Sequence, residues 1–280
     1  MNDITITIVN YLMKDEILKN LESLALDLQN CPYKVHVVVV DNSENKDGIK
    51  EVVEKFPNVS YLNSGNNIGF GKAHNLGFKS VPARYYFALN PDTTIMQNSN
   101  TVERIIKFMD RNSKIGCIGP KLINLDGSYQ NSCYRFNFSS IIVKPLKQIG
   151  LDKKIKLAKK YVDNLLMKGF CHTKTIPVDW VMGAALVIRA EVVEKVGMFD
   201  GRYFMYLEDA DLCKKSWEAG YPVYYVHDIV IKHSHRRGSA KTPGVFRALI
   251  KNKLARIHLA SWSKYIWKWR NHFKYYAKIS

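Results

Sequence analysis

This sequence predicts an α/β fold built on a largely parallel sheet, and three observations carry the prediction. Short β-branched or apolar runs alternate with helical patterns through the first hundred residues. One run, 35–40, is apolar but for His36, the pattern of a strand covered on both faces. Polar residues, Asp41 and Asp92, stand just past the ends of two such runs. Open parallel sheets bind ligands beyond the carboxyl ends of their strands, so both aspartates are candidate site residues.

Residues 4–9 alternate β-branched side chains and read as a strand, and 15–29 carry Ile17, Leu18, Leu21, Leu24, Ala25 and Leu28 at helical spacing. The run 35–40 is the next strand and ends in Asp41-Asn42-Ser43, completing a βαβ unit. A helix near 50–56, a strand at 59–62, a helix at 71–80 and a strand at 84–89 extend it. The second half breaks the alternation: 116–123 and 178–189 read as strands, separated by a long Lys-rich stretch expected to carry acceptor-side elements.

With 280 residues and 46% hydrophobic content, one main domain with a tail is expected. Lys and Arg total 42 against 25 Asp and Glu, a net charge of +17, which points to an anionic partner: nucleic acid, a phosphate-bearing small molecule or an acidic membrane. Five cysteines, odd in number and without C-x-x-C spacing, argue against a disulfide framework or a zinc site and fit a reduced, cytosolic compartment. The opening residues lack the pattern of a secretion signal, and no stretch reaches the length of a membrane span.

The segment Gly65-Asn66-Asn67-Ile68-Gly69-Phe70-Gly71-Lys72-Ala73-His74 is glycine-rich but is no dinucleotide fingerprint, because it does not follow the first strand and His74 takes the third glycine's place. Its glycines let the backbone turn beside a ligand, with Asn67 and Asn75 supplying amides, or they simply open a helix. Further on, Glu208, Asp209 and Asp211 place three carboxylates in four residues after the aromatic run 203–206. Such a cluster holds a metal, raises one carboxyl into the range of a base, or caps a helix. From Lys241 onward there are ten Lys or Arg and no Asp or Glu, interleaved with Trp262, Tyr265, Trp267 and Trp269. That composition suits the headgroup layer of an anionic bilayer, and also single-stranded nucleic acid.

Val40-Asp41-Asn42-Ser43 with Asp47-Gly48, then Asn67-Ile68-Gly69-Phe70-Gly71, Leu89-Asn90-Pro91-Asp92-Thr93, Trp180-Val181-Met182-Gly183-Ala184-Ala185, Val196-Gly197-Met198-Phe199-Asp200, the 203–213 segment and His233 resemble, in order, the motifs of family-two glycosyltransferases of the GT-A fold. The resemblance covers residues 4–239 and within the family is strongest to bacterial rhamnosyltransferases that build O-antigen and related polysaccharides. It implies a GT-A catalytic domain over 1–239, with a nucleotide-sugar half (1–100) and an acceptor and catalytic half (101–239), and a mainly helical, membrane-associating segment over 240–280.

The implied activity is inverting transfer of rhamnose from dTDP-rhamnose to a polyprenyl-diphosphate-linked saccharide, at the inner face of the bacterial cell membrane, with no nucleic-acid partner. By resemblance, Asp41 reads the nucleobase, and Asn67, Gly69 and Asn75 lie near the nucleotide. Asn90 and Asp92 stand at the DXD position, where Asp92 holds Mg²⁺ or Mn²⁺. His233, or its neighbour His235, completes the metal shell, and Arg236 with Arg237 closes over the diphosphate. Asp209 is the base, Glu208 raises its proton affinity, and Asp211 is a first-turn charge. The alternatives are a UDP-sugar transferase of the same fold, a sugar nucleotidyltransferase and a nucleic-acid-binding protein.

Overall fold

The structure, a computed structural model, describes residues 1–135, 156–167, 169–234, 252–272, 274 and 276–277. The first half runs β1 (Asn2–Asn10), α1 (Lys14–Leu28), β2 (Val35–Asp41), α2 (Ile49–Val53), β3 (Val59–Asn63), α3 (Phe70–Ser80), β4 (Ala83–Leu89), β5 (Thr93–Ile95) and α4 (Thr101–Arg111). The second half runs β6 (Cys117–Ile123), β7 (Cys133–Tyr134), α5 (Lys156–Leu165), β8 (Ile176–Pro177), β9 (Trp180–Val181), β10 (Ala185–Arg189), α6 (Ala190–Val196), α7 (Glu208–Glu218), β11 (Val223–His233) and α8 (Lys253–Trp269).

The main sheet has the order β3-β2-β1-β4-β10-β6-β11-β5, with β8 against β11. β3, β2, β1 and β4 are parallel, whereas β10 runs antiparallel to both β4 and β6. Both faces of the parallel half are covered, which is why β2 carries four consecutive valines, Val37 to Val40. On β1, Ile4, Ile6 and Ile8 enter a core under α1 and α4, where Ile17, Leu21, Leu24, Val102, Ile105, Ile106 and Met109 are buried. The opposite face packs beneath α3, α6 and α7 through Phe78, Val192, Phe199, Leu212 and Cys213. β1 pairs with β2 on one side and β4 on the other, so the sheet reverses its strand order there and opens a crevice past Asn10, Asp41 and Leu89.

The strand expected over 178–189 is instead β9, a turn at Met182-Gly183-Ala184, and β10. The turn is held by its neighbours: Ala184 O accepts from Asn90 N at 2.9 Å, and Gly183 N donates to Asp209 Oδ2 at 2.8 Å.

Candidate functional site

The site grows from the β4–β5 loop. Asn90 and Asp92 leave the sheet in the crevice, and a side chain from α1 fixes the loop: Asn20 Nδ2 donates to Asn90 O, Thr93 O and Thr93 Oγ1 at 2.8–3.1 Å. β5 then runs antiparallel along the end of β11, pairing Thr93 with His233 and bringing Asp92 beside the imidazole. His233 Nε2 lies 3.2 Å from Asp92 Oδ1, and Asn90 Nδ2 sits 3.5 Å from the same nitrogen.

The other ring nitrogen is fixed from β6's side. Gln130 Nε2 donates to Asn124 Oδ1, which turns Gln130 Oε1 toward His233 Nδ1 at 2.6 Å, so Nδ1 carries the hydrogen and donates. Nε2 then faces the Asp92 carboxylate, and the two can meet either as an ion pair through a ring proton or as a pair of ligands sharing a cation. Adjacent ligands in octahedral coordination at 2.0–2.1 Å stand about 3 Å apart, so the pair fits Mg²⁺ or the similar Mn²⁺. Among the described residues no group of three or more His, Cys, Asp or Glu side chains gathers. A metal here would hold one carboxylate and one imidazole and take its remaining ligands from diphosphate oxygens and water.

Across the Met182-Gly183-Ala184 turn lie the carboxylates that open α7. Burial pushes the Asp209 carboxyl up, and hydrogen bonds from Gly183 N, Ala210 N and the Trp180 indole offset part of the rise. Glu208 is pushed much further, by burial first and then by the Asp209 charge, and its Oε2 has no hydrogen-bond partner among the described residues. The arrangement therefore differs from the expectation for Glu208: burial leads the shift on Asp209, while Glu208 is the member that keeps its proton. Hydrogen bonds from Gly183 N and Ala210 N hold Asp209 in place and favour its ionised form.

The nucleotide side is built at the ends of β2 and β3. Asp41 is fully buried: Oδ1 accepts from Asn10 Nδ2, Ser43 N and Ser43 Oγ, and Oδ2 from Asn45 N and Tyr61 OH. Burial alone would raise its pKa, but these donors outweigh it and hold the carboxyl below its ordinary value. In this structure Asp41 builds the β2–α2 loop, and a nucleobase would have to displace a donor to bond it. Asn67 Oδ1 accepts from Gly69 N, and Asn42 Nδ2 donates to Gly69 O, tying the glycine loop to β2. Gly69 has φ +88, and a Cβ there would come within 2.3 Å of Phe204 O, so only glycine allows this approach.

Asn75 corrects its expected role. Its Nδ2 donates to Phe199 O at 2.7 Å and its Oδ1 accepts from Phe199 N at 3.0 Å, so the whole amide joins α3 to the loop before α7 instead of facing a ligand. Asp211 likewise is more than a first-turn charge. It is fully buried, accepts from Trp269 Nε1 at 2.8 Å and pairs with Lys268 Nζ at 2.7 Å, both from α8. His235, Arg236 and Arg237 lie outside the described residues, as do 240–251 of the basic segment.

The described part of that segment docks on the domain. Tyr265 is buried among Tyr203, Leu207 and Ala210, with Trp180, Trp262 and Trp269 around them. Lys214 Nζ lies 4.6 Å from the Trp269 ring centroid and donates to His272 O, and Asp179 Oδ1 accepts from Tyr276 N and Ala277 N. Sequence reading also missed Asn10, Asn20 and Gln130. Asn20 had a signal, since it falls on the apolar stripe of Ile17, Leu21 and Leu24, where an amide must have a partner.

The sheet order, the crevice and the two acid sites define a GT-A glycosyltransferase fold. The sequence model of "Glycosyl transferase family 2" matches residues 3–163, more than half of the chain, and the protein belongs to that family. It is similar to an N-acetylglucosaminyl-diphospho-decaprenol L-rhamnosyltransferase of Mycobacterium tuberculosis, 26% identical over 224 residues covering 75% of this chain and 69% of that protein. It is also similar to rhamnosyltransferase WbbL of Escherichia coli, 28% identical over 247 residues covering 83% of this chain and 84% of that one. Among solved structures, GalNAc-T7 with UDP, GalNAc and Mn²⁺ superposes with a TM-score of 0.60 at 15% identity, covering 89% of this chain and 48% of that structure. At that identity the likeness is one of fold.

Proposed function

We propose that this protein is an inverting, divalent-metal-dependent glycosyltransferase that moves rhamnose from dTDP-rhamnose to a lipid-linked saccharide during cell-surface polysaccharide synthesis. The observation that supports the metal-dependent reading is the 3.2 Å approach of His233 Nε2 to Asp92 Oδ1, a spacing that fits two ligands of one cation. The sugar and the acceptor class rest on the relatives named as rhamnosyltransferases, one of them acting on a decaprenol diphosphate. The polyprenyl-linked acceptor implies work at the inner face of the membrane. Among the described residues no helix is long and apolar enough to cross it.

In this reading the loop rooted in Asp41, Asn67 and Gly69 shapes the nucleotide pocket, and Arg236 closes over the diphosphate. Asp92 and His233 hold Mg²⁺ or Mn²⁺, with Asn90 beside them. A bound metal would neutralise charge developing on the departing nucleoside diphosphate. Asp209 takes the proton of the acceptor hydroxyl as that oxygen attacks the anomeric carbon from the face opposite the leaving group, which inverts the configuration. Burial raises the carboxyl of Glu208 beside it, and the apolar surround of Tyr203, Leu207 and Trp180 limits water.

The test is a donor panel with Mn²⁺ or Mg²⁺, comparing dTDP-rhamnose with UDP-glucose, UDP-galactose and UDP-N-acetylglucosamine on the wild type and Asp92→Ala. Metal-dependent turnover of dTDP-rhamnose, lost in the variant, is the expected result. Preference for a UDP-sugar would keep the mechanism and replace the donor.

A further inference from the structure

We infer that helix α8 is a positioning element of the active site, and that the catalytic carboxylates are correctly placed only while it is docked. This rests on the reading of Asp209 as the base. Directly before Glu208, Tyr206 and Leu207 adopt φ of +74 and +70, two consecutive non-glycine residues in the left-handed region. Each such residue is strained and persists only where its surroundings over-determine it. Two different elements supply that constraint here.

From one side Phe70 N donates to Phe204 O at 2.8 Å, and Gly69 lies against the same carbonyl. From the other, α8 grips the segment along its length. Ser261 Oγ donates to Met205 O at 2.8 Å, His258 stacks on Tyr206 with centroids 4.3 Å apart, and Tyr265 fills the space beneath Leu207 and Ala210. One turn on, Lys268 and Trp269 take both oxygens of the buried Asp211 carboxylate, two residues past the base. Lys268 also bonds Asp200 Oδ2 at 2.8 Å, closing a tie between the loop before the strained residues and the helix after them. The Asp92 and His233 site shares none of these contacts, being held by Asn20 and Gln130. Loss of α8 contacts should therefore move the base and leave nucleotide binding intact.

The experiment compares full-length wild type, Lys268→Met, Lys268→Arg, and the double variant Lys268→Met with Asp211→Asn. It measures transfer kcat, donor KM, dTDP affinity in the presence of Mn²⁺, and melting temperature. Misplacing a catalytic group by about an ångström can cost up to about a hundredfold. Lys268→Met is expected to lose about tenfold or more in kcat, with donor KM and dTDP affinity within about twofold of wild type. The double variant, which removes both charges of the pair together, recovers most of the loss, and Lys268→Arg recovers part of it. Unchanged kcat in Lys268→Met would overturn the inference. So would a parallel loss of kcat, dTDP affinity and melting temperature, which is what a merely structural helix gives. Asp209→Asn in the same assay separates the two claims, because retained transfer there would remove Asp209 as base whatever Lys268 does.

Discussion

At the scale of single residues, chemistry is set by what each carboxylate accepts. Asp41 has five donors and is held low, Asp209 has backbone donors in a buried setting and is raised, and Glu208 is raised furthest by burial beside another charge. A base must be ionised to act, so turnover should rise with pH through the elevated value of Asp209 and fall away below it. The acidic limb of a kcat–pH profile is therefore expected above 3.8, the ordinary aspartate value. Glu208→Gln should leave that limb in place, since the group it replaces is already neutral. Gln130 offers a second prediction. Partners that orient a ligating histidine change metal affinity by about 10–100-fold, so Gln130→Leu should raise the Mn²⁺ concentration needed for half-maximal activity by about tenfold while kcat at saturating metal changes little.

At the scale of elements, the loops matter more than the strands that bear them. Gly69 is where the loop before α3 and the segment before α7 touch. Gly69→Ala would impose both an unfavourable φ and a Cβ within 2.3 Å of a carbonyl oxygen. It should destabilise the protein by about 1–3 kcal/mol, read as a lower denaturant midpoint, and should weaken nucleotide binding in what remains folded. The four parallel strands of the first half were legible because alternation, and in β2 a valine run broken only by His36, are local patterns; expected and observed bounds differ there by at most two residues. The split of 178–189 was not legible, because its cause is a pair of contacts from Asn90 and Asp209, both distant in sequence. For the same reason the contacts of Asn75 and Asp211 were not legible: their partners, Phe199 and Lys268, are 124 and 57 residues away. α4, β11 and α6 carry local patterns of their own, and β11 alternates visibly toward its end, yet none was read.

At the scale of the whole molecule, the excess of positive charge and the aromatic C-terminus gain a division of labour. One face of α8 is committed to the catalytic segment, while Trp267 and Leu259 stay exposed, 71% and 43%, with Arg256, Lys264 and Arg270 also outward. Such a surface suits the headgroup layer of an anionic bilayer. If it serves there, Trp267→Ser with Leu259→Ser should reduce co-sedimentation with phosphatidylglycerol vesicles severalfold. Turnover of a water-soluble acceptor analogue should be unchanged, because neither residue belongs to the buried cluster around Tyr265.

The dependence of the strained Tyr206-Leu207 segment on α8 also bears on how the protein is made. Synthesis proceeds from the N-terminus, and early-emerging parts begin to fold before later ones exist. The sheet, the glycine loop and the Asp92–His233 pair all precede residue 235, whereas the helix that fixes the base is translated after them. A nascent chain would therefore hold donor before it could transfer from it. Full competence would arrive only when α8 leaves the ribosome and closes a loop of nearly sixty residues onto Asp211.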